Sequence, residues 1–150
     1  MPKNPLKGTY CLIIHLKSRQ NIKIGCLGEI NFEDGYYVYV GSALNSLKSR
    51  LERHLKNDKK LFWHVDYLLN NPNAKVVDVV FAVSGDKWEC PLASNISKLG
   101  HEIKNFGCSD CKCPSHLFYF PDMELSKKIC LKSFEKLGLQ PKDLEDLETL

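Results

Sequence analysis

Strand-forming runs dominate the first third of the chain. They cover residues 8–16, 22–30 and 36–41. Residues 33–35 (Glu-Asp-Gly) form a turn signal before the third run, so the pattern predicts three strands with short connections, an antiparallel meander. Gly25 and Gly28 interrupt the second run and predict a bulge or bend in that strand.

A helical period replaces the strand pattern after Gly41. Leucines recur at Leu44, Leu47, Leu51 and Leu55. This spacing predicts a helix that begins at Asn45 or Ser46 and ends near Lys56. The later pattern predicts helices over 61–70, 88–99 and 124–137, strands over 76–83 and 117–120, and a loop over 107–115.

The order of these elements indicates the fold class. Strands come first and helices are mixed in later, which is typical of an α+β domain. We expect a small, mostly antiparallel sheet, made of the three-stranded meander and one or two added strands and flanked by helices. Residues 1–138 would form this single domain, and the acidic residues 139–150 a tail that is frayed or lightly docked.

Composition narrows the class of protein. The 150 residues are 43% hydrophobic and 26% charged, as in ordinary globular proteins. No apolar run is long enough to span a bilayer, and no secretory signal follows Met1, so we expect a cytoplasmic protein without a membrane partner. An odd number of cysteines, seven, argues against a disulfide framework. The four scattered ones are expected to be small buried residues: Cys11, Cys26, Cys90 and Cys130.

Charge is distributed unevenly along the chain. The net charge is +3, yet residues 1–60 carry eleven Lys or Arg against five Asp or Glu. Six of those cations lie within 44–60. Such a stripe can attract an anionic polymer, although charge alone favours the simpler interpretation of a solvated helix face. The candidate nucleic-acid contacts are Lys48, Arg53 and Lys56.

Two tyrosines flank the predicted sheet at chemically suggestive positions. Tyr10 belongs to a Gly-x-Tyr run at 8–10, and Tyr39 opens a Tyr-Val-Gly run at 39–41. Antiparallel connectivity can place the first and third strands side by side and so bring the phenols together. Helix geometry puts Arg50 and His54 on one flank of the leucine stripe, while Arg53 points away into solvent or toward a phosphate backbone.

This arrangement resembles the GIY-YIG nuclease superfamily. The matching features are Gly8-Thr9-Tyr10, Tyr39-Val40-Gly41 and Arg50, eleven residues beyond the second tyrosine, and Arg50 to His54 resembles an Arg-x-x-x-His run of that superfamily. A second resemblance covers residues 6–120 and includes 63–69 and 107–118. It is to an uncharacterised branch, a domain of unknown function sometimes fused to endonuclease III-type glycosylases.

The resemblance implies metal-assisted hydrolysis of phosphodiester bonds. Tyr10 or Tyr39 would orient or deprotonate the attacking water, and Arg50 would stabilise charge on the phosphoryl group. His54 would be a further member of the site. Glu89, at the start of the helix after strand 76–83, would hold one Mg²⁺ or Mn²⁺.

Plainer interpretations exist for the same residues. The tyrosines suit half-buried strand positions, Glu89 suits the first turn of a helix, and Arg50 can pair at the surface with Glu52 or Asp58.

The chain departs from the superfamily at two places. Many members carry an asparagine about twelve residues beyond the metal carboxylate, whereas Asn105 is displaced by several residues. Asp110 and His116 are alternatives for that position. Residues 42–43 read Ser-Ala where many members have Lys or Thr.

A compact cluster of thiols and an imidazole follows in the loop. Cys108, Cys111, Cys113 and His116 provide four potential ligands for a structural zinc ion. Packing of small residues, a redox-responsive pair, or one wall of a nuclease cleft are the alternatives. In the helix predicted over 61–70, Trp63 or Tyr67 could stack on a base, or the segment could serve core packing with His64 and Asp66 in solvent.

The leading expectation is a divalent-metal-dependent DNA endonuclease, with a possible role in DNA repair beside a glycosylase or another repair protein. A nucleic-acid-binding or adaptor module of the same fold that does not cut, and a zinc-binding interaction module, are the alternatives.

Overall fold

The computed structural model describes residues 6–56, 60–107, 113 and 115–149. The strands are β1 (Gly8–Leu16), β2 (Gln20–Lys23), β3 (Glu29–Phe32), β4 (Gly35–Ala43), β5 (Ala74–Val83), β6 (His101–Glu102), β7 (Leu117–Phe120) and β8 (Lys142–Asp143). The helices are α1 (Leu47–Leu55), α2 (His64–Leu69), α3 (Glu89–Ser97) and α4 (Met123–Lys136). Two 3₁₀ helices cover Gly25–Leu27 and Leu144–Thr149.

Six strands form one antiparallel sheet in the order β6-β7-β4-β1-β5-β8. β1 lies between β4 and β5 along its whole length, so that Gly8 pairs with both Ala43 and Val83. Helices flank this sheet, and the predicted α+β class with a mostly antiparallel sheet is confirmed.

The predicted second strand, over 22–30, is wrong. β2 and β3 are instead a separate two-stranded hairpin joined by a 3₁₀ turn. Gly25 and Gly28 have φ of +45° and +79°, which an extended strand does not accommodate. Because the hairpin leaves the main sheet, β1 and β4 pair directly and Tyr10 lies opposite Gly41.

The sheet has a core on each face, because successive strand side chains alternate between the two sides. Tyr10, Leu12 and Ile14 of β1 belong to one core, which includes residues of α1 and α2. Cys11 and Ile13 belong to the other core, beside residues of α3 and α4. The two helix pairs thus lie on opposite faces of the sheet.

Helix starts follow local capping. α1 begins after Ser46, whose hydroxyl accepts a hydrogen bond from the amide of Ser49 at 3.2 Å. α2 begins at His64, later than predicted, because the Asp66 carboxylate accepts hydrogen bonds from the amides of Phe62 and Trp63 and holds them outside the helix.

The C-terminal residues dock against the sheet. β8 pairs with the C-terminal half of β5, at Val80 and Phe81, and Leu147 is buried in the same core as Tyr10. Lys127 of α4 joins this region, with its ammonium 2.9 Å from Asp78 and 3.4 Å from Asp143. Residues 142–149 are therefore a packed part of the fold rather than a frayed tail.

Two of the four scattered cysteines contradict the expectation of simple burial. Cys11 and Cys130 are buried. Cys26 is exposed because it lies on the turn between β2 and β3. Cys90 is joined to Cys113 in a disulfide, because the start of α3 lies beside the segment that leads into β7.

Within the described residues, no helix has the length and apolar character that crossing a bilayer requires.

Candidate active site

The two tyrosines project from neighbouring strands on one face of the sheet. Tyr39 pairs with Leu12, and Tyr10 pairs with Gly41, two residues further along β4. A Cβ atom at position 41 would lie 2.5 Å from the Tyr10 hydroxyl oxygen. Because Gly41 has no side chain, the Tyr10 phenol can lie across the backbone of β4.

His54 contacts both phenol rings from α1. Its Nε2 lies 2.8 Å from the Tyr10 hydroxyl oxygen, and its ring centre lies 6.2 Å from that of Tyr39. The imidazole is buried, and the Trp63 ring lies 5.8 Å away. The helix flank predicted for His54 thus faces the tyrosines.

Arg50 occupies the same flank, one turn earlier. Its Nη1 donates a hydrogen bond to the carbonyl of Ser42 at 3.0 Å. Its guanidinium carbon lies 4.3 Å from the centre of the Trp63 ring, a cation–π distance. Arg50 is thereby directed over the end of β4 toward Tyr10, rather than toward a surface partner on its own helix.

Glu89 reaches this region from the opposite face of the sheet, in the first turn of α3. The Ser42 hydroxyl donates a hydrogen bond to Glu89 Oε1. Glu89 Oε2 lies 3.7 Å from Nδ1 of His116, and the glutamate side chain is 27% exposed. Ser42 therefore links both charged groups, since its carbonyl binds Arg50 and its hydroxyl binds Glu89.

Burial controls the protonation of the site. Desolvation raises the pKa of Tyr10 far above its usual value, and the Arg50 guanidinium beside it only partly offsets this. Burial likewise raises the pKa of Tyr39, with the neighbouring phenol and Glu89 acting in the same direction. Burial lowers the pKa of His116, although Glu89 opposes the shift. Both phenols and the His116 imidazole are consequently neutral at physiological pH.

These groups border one cleft of about 570 Å³. Its lining includes the predicted site residues Tyr10, Tyr39, Arg50 and Glu89. It also includes residues that the sequence pattern did not assign to the site, such as Ser42, Phe62 and Lys87. The residues that line the cleft include Tyr10, Tyr39, Ser42, Arg50, Phe62, Trp63, Lys87, Glu89, Cys90 and His116. Tyr10 lines the cleft, and His54 lies behind it. The imidazole of His54 forms a hydrogen bond with the Tyr10 hydroxyl.

The orientation predicted for Arg53 is wrong. Its guanidinium donates to both carboxylate oxygens of Asp66, at 2.9 and 3.0 Å, and to the carbonyl of Lys60 at 2.9 Å. The Arg53 side chain is 28% exposed, because α2 packs beside α1 and supplies the buried carboxylate. Arg53 is thus a link between helices, which weakens its assignment as a phosphate contact.

Lys48 and Lys56 lie outside the cleft. Both border a shallow depression on another side of α1, where the C-terminal 3₁₀ helix contributes Glu145 and Glu148. A bound nucleic acid that contacts these lysines would have to extend around α1, away from the tyrosines.

Asp66 and the aromatic residues around it also differ from expectation. Asp66 is fully buried rather than solvated, because Arg53 and two backbone amides satisfy its carboxylate. Trp63 packs against the guanidinium groups of Arg50 and Arg53, each 4.3 Å from the ring centre. Phe62 is the aromatic residue left open, 74% exposed at the cleft.

His64 is half-buried and accepts a hydrogen bond from the amide of Gly107 at 2.8 Å. Burial lowers the pKa of its imidazole. This hydrogen bond holds Gly107 beside His64 at the edge of the cleft.

Of the alternatives for the displaced asparagine, His116 faces Glu89 and lines the cleft. Asn105 lies on an exposed turn with φ of +63°. Asp110 lies outside the described residues, as do Cys108 and Cys111 of the predicted zinc cluster. Cys113 and His116 of that cluster are described, and they lie near Cys90.

Several site residues had little signal in the sequence. Lys87 precedes Glu89 by two residues, which is the one local clue. Ser42 and Cys90 could not be selected, because each acquires its role from a partner far along the chain: Glu89 for Ser42 and Cys113 for Cys90.

Comparison with known proteins gives a family without an activity. The family model described as "Domain of unknown function DUF123" matches residues 9–139. No curated protein matches the chain. No solved structure matches it either.

Proposed function

We propose that this chain, which belongs to the DUF123 family, is a divalent-metal-dependent DNA endonuclease with a GIY-YIG-type site. The observation that supports this most is a convergence in space. Tyr10 on β1, Arg50 on α1 and Glu89 on α3 line one cleft, and His54 on α1 contacts the Tyr10 hydroxyl from behind. A hydrogen-bonded phenol, a guanidinium and a carboxylate can together orient a water molecule, bind a phosphate and hold a divalent cation, the three tasks of metal-assisted phosphodiester hydrolysis.

Arg50 suits the phosphoryl group. A guanidinium forms directed, charge-assisted hydrogen bonds to phosphate oxygens and keeps its proton at any physiological pH. The bond to the Ser42 carbonyl and the contact with Trp63 restrict the rotamers of Arg50. In the proposed reaction this side chain binds the scissile phosphate and stabilises the charge that develops on it.

Glu89 suits a single divalent cation. Mg²⁺ is commonly bound through one or two carboxylates, with waters and substrate phosphate oxygens completing its shell. Among the described residues that line the cleft, Glu89 is the one carboxylate, so the donor set fits one Mg²⁺ or Mn²⁺ shared with the substrate. Such a cation would neutralise charge on the phosphate and on the leaving oxygen.

Tyr10 and His54 suit proton transfer. Burial raises the pKa of Tyr10, so the phenol keeps its proton at physiological pH and no phenolate is present to act as the base. Its oxygen can nevertheless accept a proton from water if its own proton moves at the same time to Nε2 of His54, 2.8 Å away. We therefore assign Tyr10 to orient the attacking water and His54 to receive the proton.

The Tyr39 ring contacts His54 and helps to hold this pair in place. Tyr39 also lines the cleft, so it is a second candidate to orient the water.

The same proposal includes a substrate, a protein partner and a cellular location. DNA is the polymer that the proposed superfamily membership favours, and Lys87 adds an exposed cation at the rim of the cleft. A DNA-repair glycosylase or another repair protein remains the proposed partner, and the cytoplasm the proposed location.

A non-cutting nucleic-acid module of the same fold is the second candidate. One specific observation favours it. Many superfamily members carry an asparagine about twelve residues beyond the metal carboxylate, whereas Asn105 of this chain lies on an exposed turn and does not line the cleft. In that case Arg50 would still bind phosphate, but Glu89 would have no role.

A nuclease assay separates these functions. Wild type, Arg50→Ala and Glu89→Gln are incubated with Mg²⁺ or Mn²⁺ and labelled duplex, single-stranded and branched DNA. Glu52→Gln, an exposed carboxylate on α1, is the matched control. Cleavage by wild type and the control, but not by the two site variants, supports the nuclease.

Equal cleavage by all four proteins would identify a contaminant. No cleavage, with binding to DNA that weakens with salt and with Arg50→Ala but not with Glu89→Gln, would establish the second candidate instead.

A further inference from the structure

Three potential metal ligands meet beside the cleft, from parts of the chain that are separate in sequence. Cys90 is in the first turn of α3, Cys113 precedes β7, and His116 directly precedes that strand. One ligand atom from each lies within 4.8 Å of the other two. Cys90 and Cys113 are joined in a disulfide, across a sequence separation of 23 residues.

We propose that the reduced chain binds one zinc ion through Cys90, Cys113 and His116. The disulfide is first reduced by a thiol such as glutathione: two equivalents of thiol become one external disulfide, and Cys90 and Cys113 become thiols. Zinc then binds both sulfurs and one imidazole nitrogen, and the two thiol protons are released to solvent. This inference does not depend on the nuclease proposal.

The geometry is compatible with zinc. Tetrahedral zinc with usual bond lengths separates neighbouring ligand atoms by about 3.6 to 3.8 Å. The three atoms already lie within 4.8 Å of each other. Opening the disulfide moves the sulfurs apart toward that separation, so small side-chain rotations suffice and the backbone can stay in place.

The surroundings of His116 are also those of a zinc ligand. An imidazole that binds zinc usually donates its other ring N–H to a carboxylate or carbonyl, which fixes the tautomer. The His116 imidazole hydrogen-bonds the backbone of Val40, and Glu89 Oε2 lies 3.7 Å from Nδ1, where it acts on the ring through its charge. Since Cys90 directly follows Glu89, zinc at this place would also hold the first turn of α3 against the segment that leads into β7.

The inclusion of Cys90 distinguishes this site from the cluster predicted by spacing alone. That cluster takes all its ligands from the loop and its end, Cys108, Cys111, Cys113 and His116. The proposed site instead takes Cys90 from a helix, which supplies the separate second element that structural zinc sites commonly use; Cys108 and Cys111 lie outside the described residues.

The test uses the full chain, reduced with a phosphine and freed of metal by a chelator without oxygen. Co²⁺ is the spectroscopic probe, and Zn²⁺ then displaces it. We expect one equivalent of Co²⁺ with thiolate-to-metal charge-transfer absorption and tetrahedral d–d bands. Cys90→Ser and His116→Ala each remove a proposed ligand, so each should weaken binding by at least the roughly 10- to 100-fold that loss of a partner outside the ligand shell costs. Cys26→Ser, an exposed cysteine elsewhere, should bind as wild type does.

Two results would overturn the proposal. One is a reduced wild type without thiolate–cobalt absorption. The other is wild-type binding by Cys90→Ser together with its loss in Cys108→Ser or Cys111→Ser, which would place the metal in the loop.

A measurement on the unmutated chain guards against variants that fail to fold. Zinc should slow the alkylation of Cys90 and Cys113 by iodoacetamide, read by peptide mass spectrometry, and leave Cys26 unaffected. Equal alkylation of Cys90 with and without zinc would also contradict the proposal.

Discussion

The Tyr10 hydroxyl oxygen and Nε2 of His54 lie 2.8 Å apart, although 44 residues separate them in sequence. Both side chains are buried, and the phenol stays neutral because burial raises its pKa. In the proposed mechanism this hydrogen bond lets the phenol pass its proton to His54 while it takes one from the attacking water, so that no charge stays on the phenol.

Removal of the Tyr10 hydroxyl should abolish most of the turnover. In Tyr10→Phe the ring still fills its place, but the water loses its acceptor and His54 loses its partner. We expect kcat to fall by about 10²- to 10⁴-fold, the usual contribution of proton transfer. The check is a single-turnover cleavage assay, with Tyr36→Phe as control, since Tyr36 stacks on His15 rather than on His54. Similar rates for both variants would remove Tyr10 from the mechanism.

Gly41→Ala should damage the site more than the fold. The new Cβ would meet the Tyr10 hydroxyl at 2.5 Å and push the phenol away from His54. We expect a loss of stability of about 1 to 3 kcal/mol, together with a loss of cleavage as severe as in Tyr10→Phe. Gly85→Ala is the matched control, because its Cβ would meet nothing within 4 Å. Urea unfolding and cleavage are measured on both, and full activity of Gly41→Ala would contradict the placement of Tyr10.

The two arginines of α1 should separate activity from stability. Arg50→Ala removes the cation that faces the cleft, and we expect turnover to fall by about 10²- to 10³-fold with little change in the unfolding midpoint. Arg53→Ala leaves the buried Asp66 carboxylate without its cation, and should lower the free energy of unfolding by about 3 to 5 kcal/mol.

Both residues contact the Trp63 ring at the same distance, so each variant controls for the loss of that contact in the other. Cleavage and urea unfolding are measured on both. The assignment fails if Arg53→Ala, while still folded, loses turnover as Arg50→Ala does.

Asp66 should make the fold sensitive to acid. Burial acts against ionisation, but the Arg53 guanidinium and the amides of Trp63 and Phe62 outweigh it and hold the pKa of this carboxyl below its usual value. A carboxyl whose pKa is depressed by folding contributes stability above its unfolded pKa, about 4, which is lost as pH falls through the folded value. The free energy of unfolding should therefore decline below about pH 4.

The comparison is a set of denaturant curves from neutral to low pH for wild type and Asp66→Asn. The variant should be less stable at neutral pH and lose less on acidification. Parallel pH dependence in the two proteins would show that Asp66 is not the group responsible.

Phe62 should contribute to binding of DNA rather than to cleavage. It is 74% exposed at the cleft, beside the proposed phosphate site, where a nucleobase can stack on the ring. Stacking is worth about 1 to 3 kcal/mol per base, so Phe62→Ala should weaken binding of single-stranded DNA by about 5- to 150-fold.

Leu99→Ala is the control for Phe62→Ala, because Leu99 is 67% exposed and does not line the cleft. Binding is measured by fluorescence anisotropy at fixed salt. Unchanged affinity of Phe62→Ala would exclude stacking at this position.

The sequence by itself determined most of the local structure. A run rich in strand-forming residues predicted β1 at Gly8–Leu16 as observed, and the leucine spacing predicted α1 with its start at Asn45 or Ser46. The helix depends on contacts between residues three or four apart, which a one-dimensional pattern records, and the residues of β1 suit an extended strand whichever strands it pairs with. The same reasoning placed Arg50 and His54 on one flank of that helix.

Only the tertiary structure decided which polar groups are partners. Arg53 faces away from the leucine stripe and was expected in solvent, but α2 packs there and brings the buried Asp66. Ser42 and Cys90 acquire their partners from elements on the other face of the sheet or far along the chain. Helical and strand periods fix the direction of a side chain from its own element, whereas the group that it meets depends on how distant elements pack.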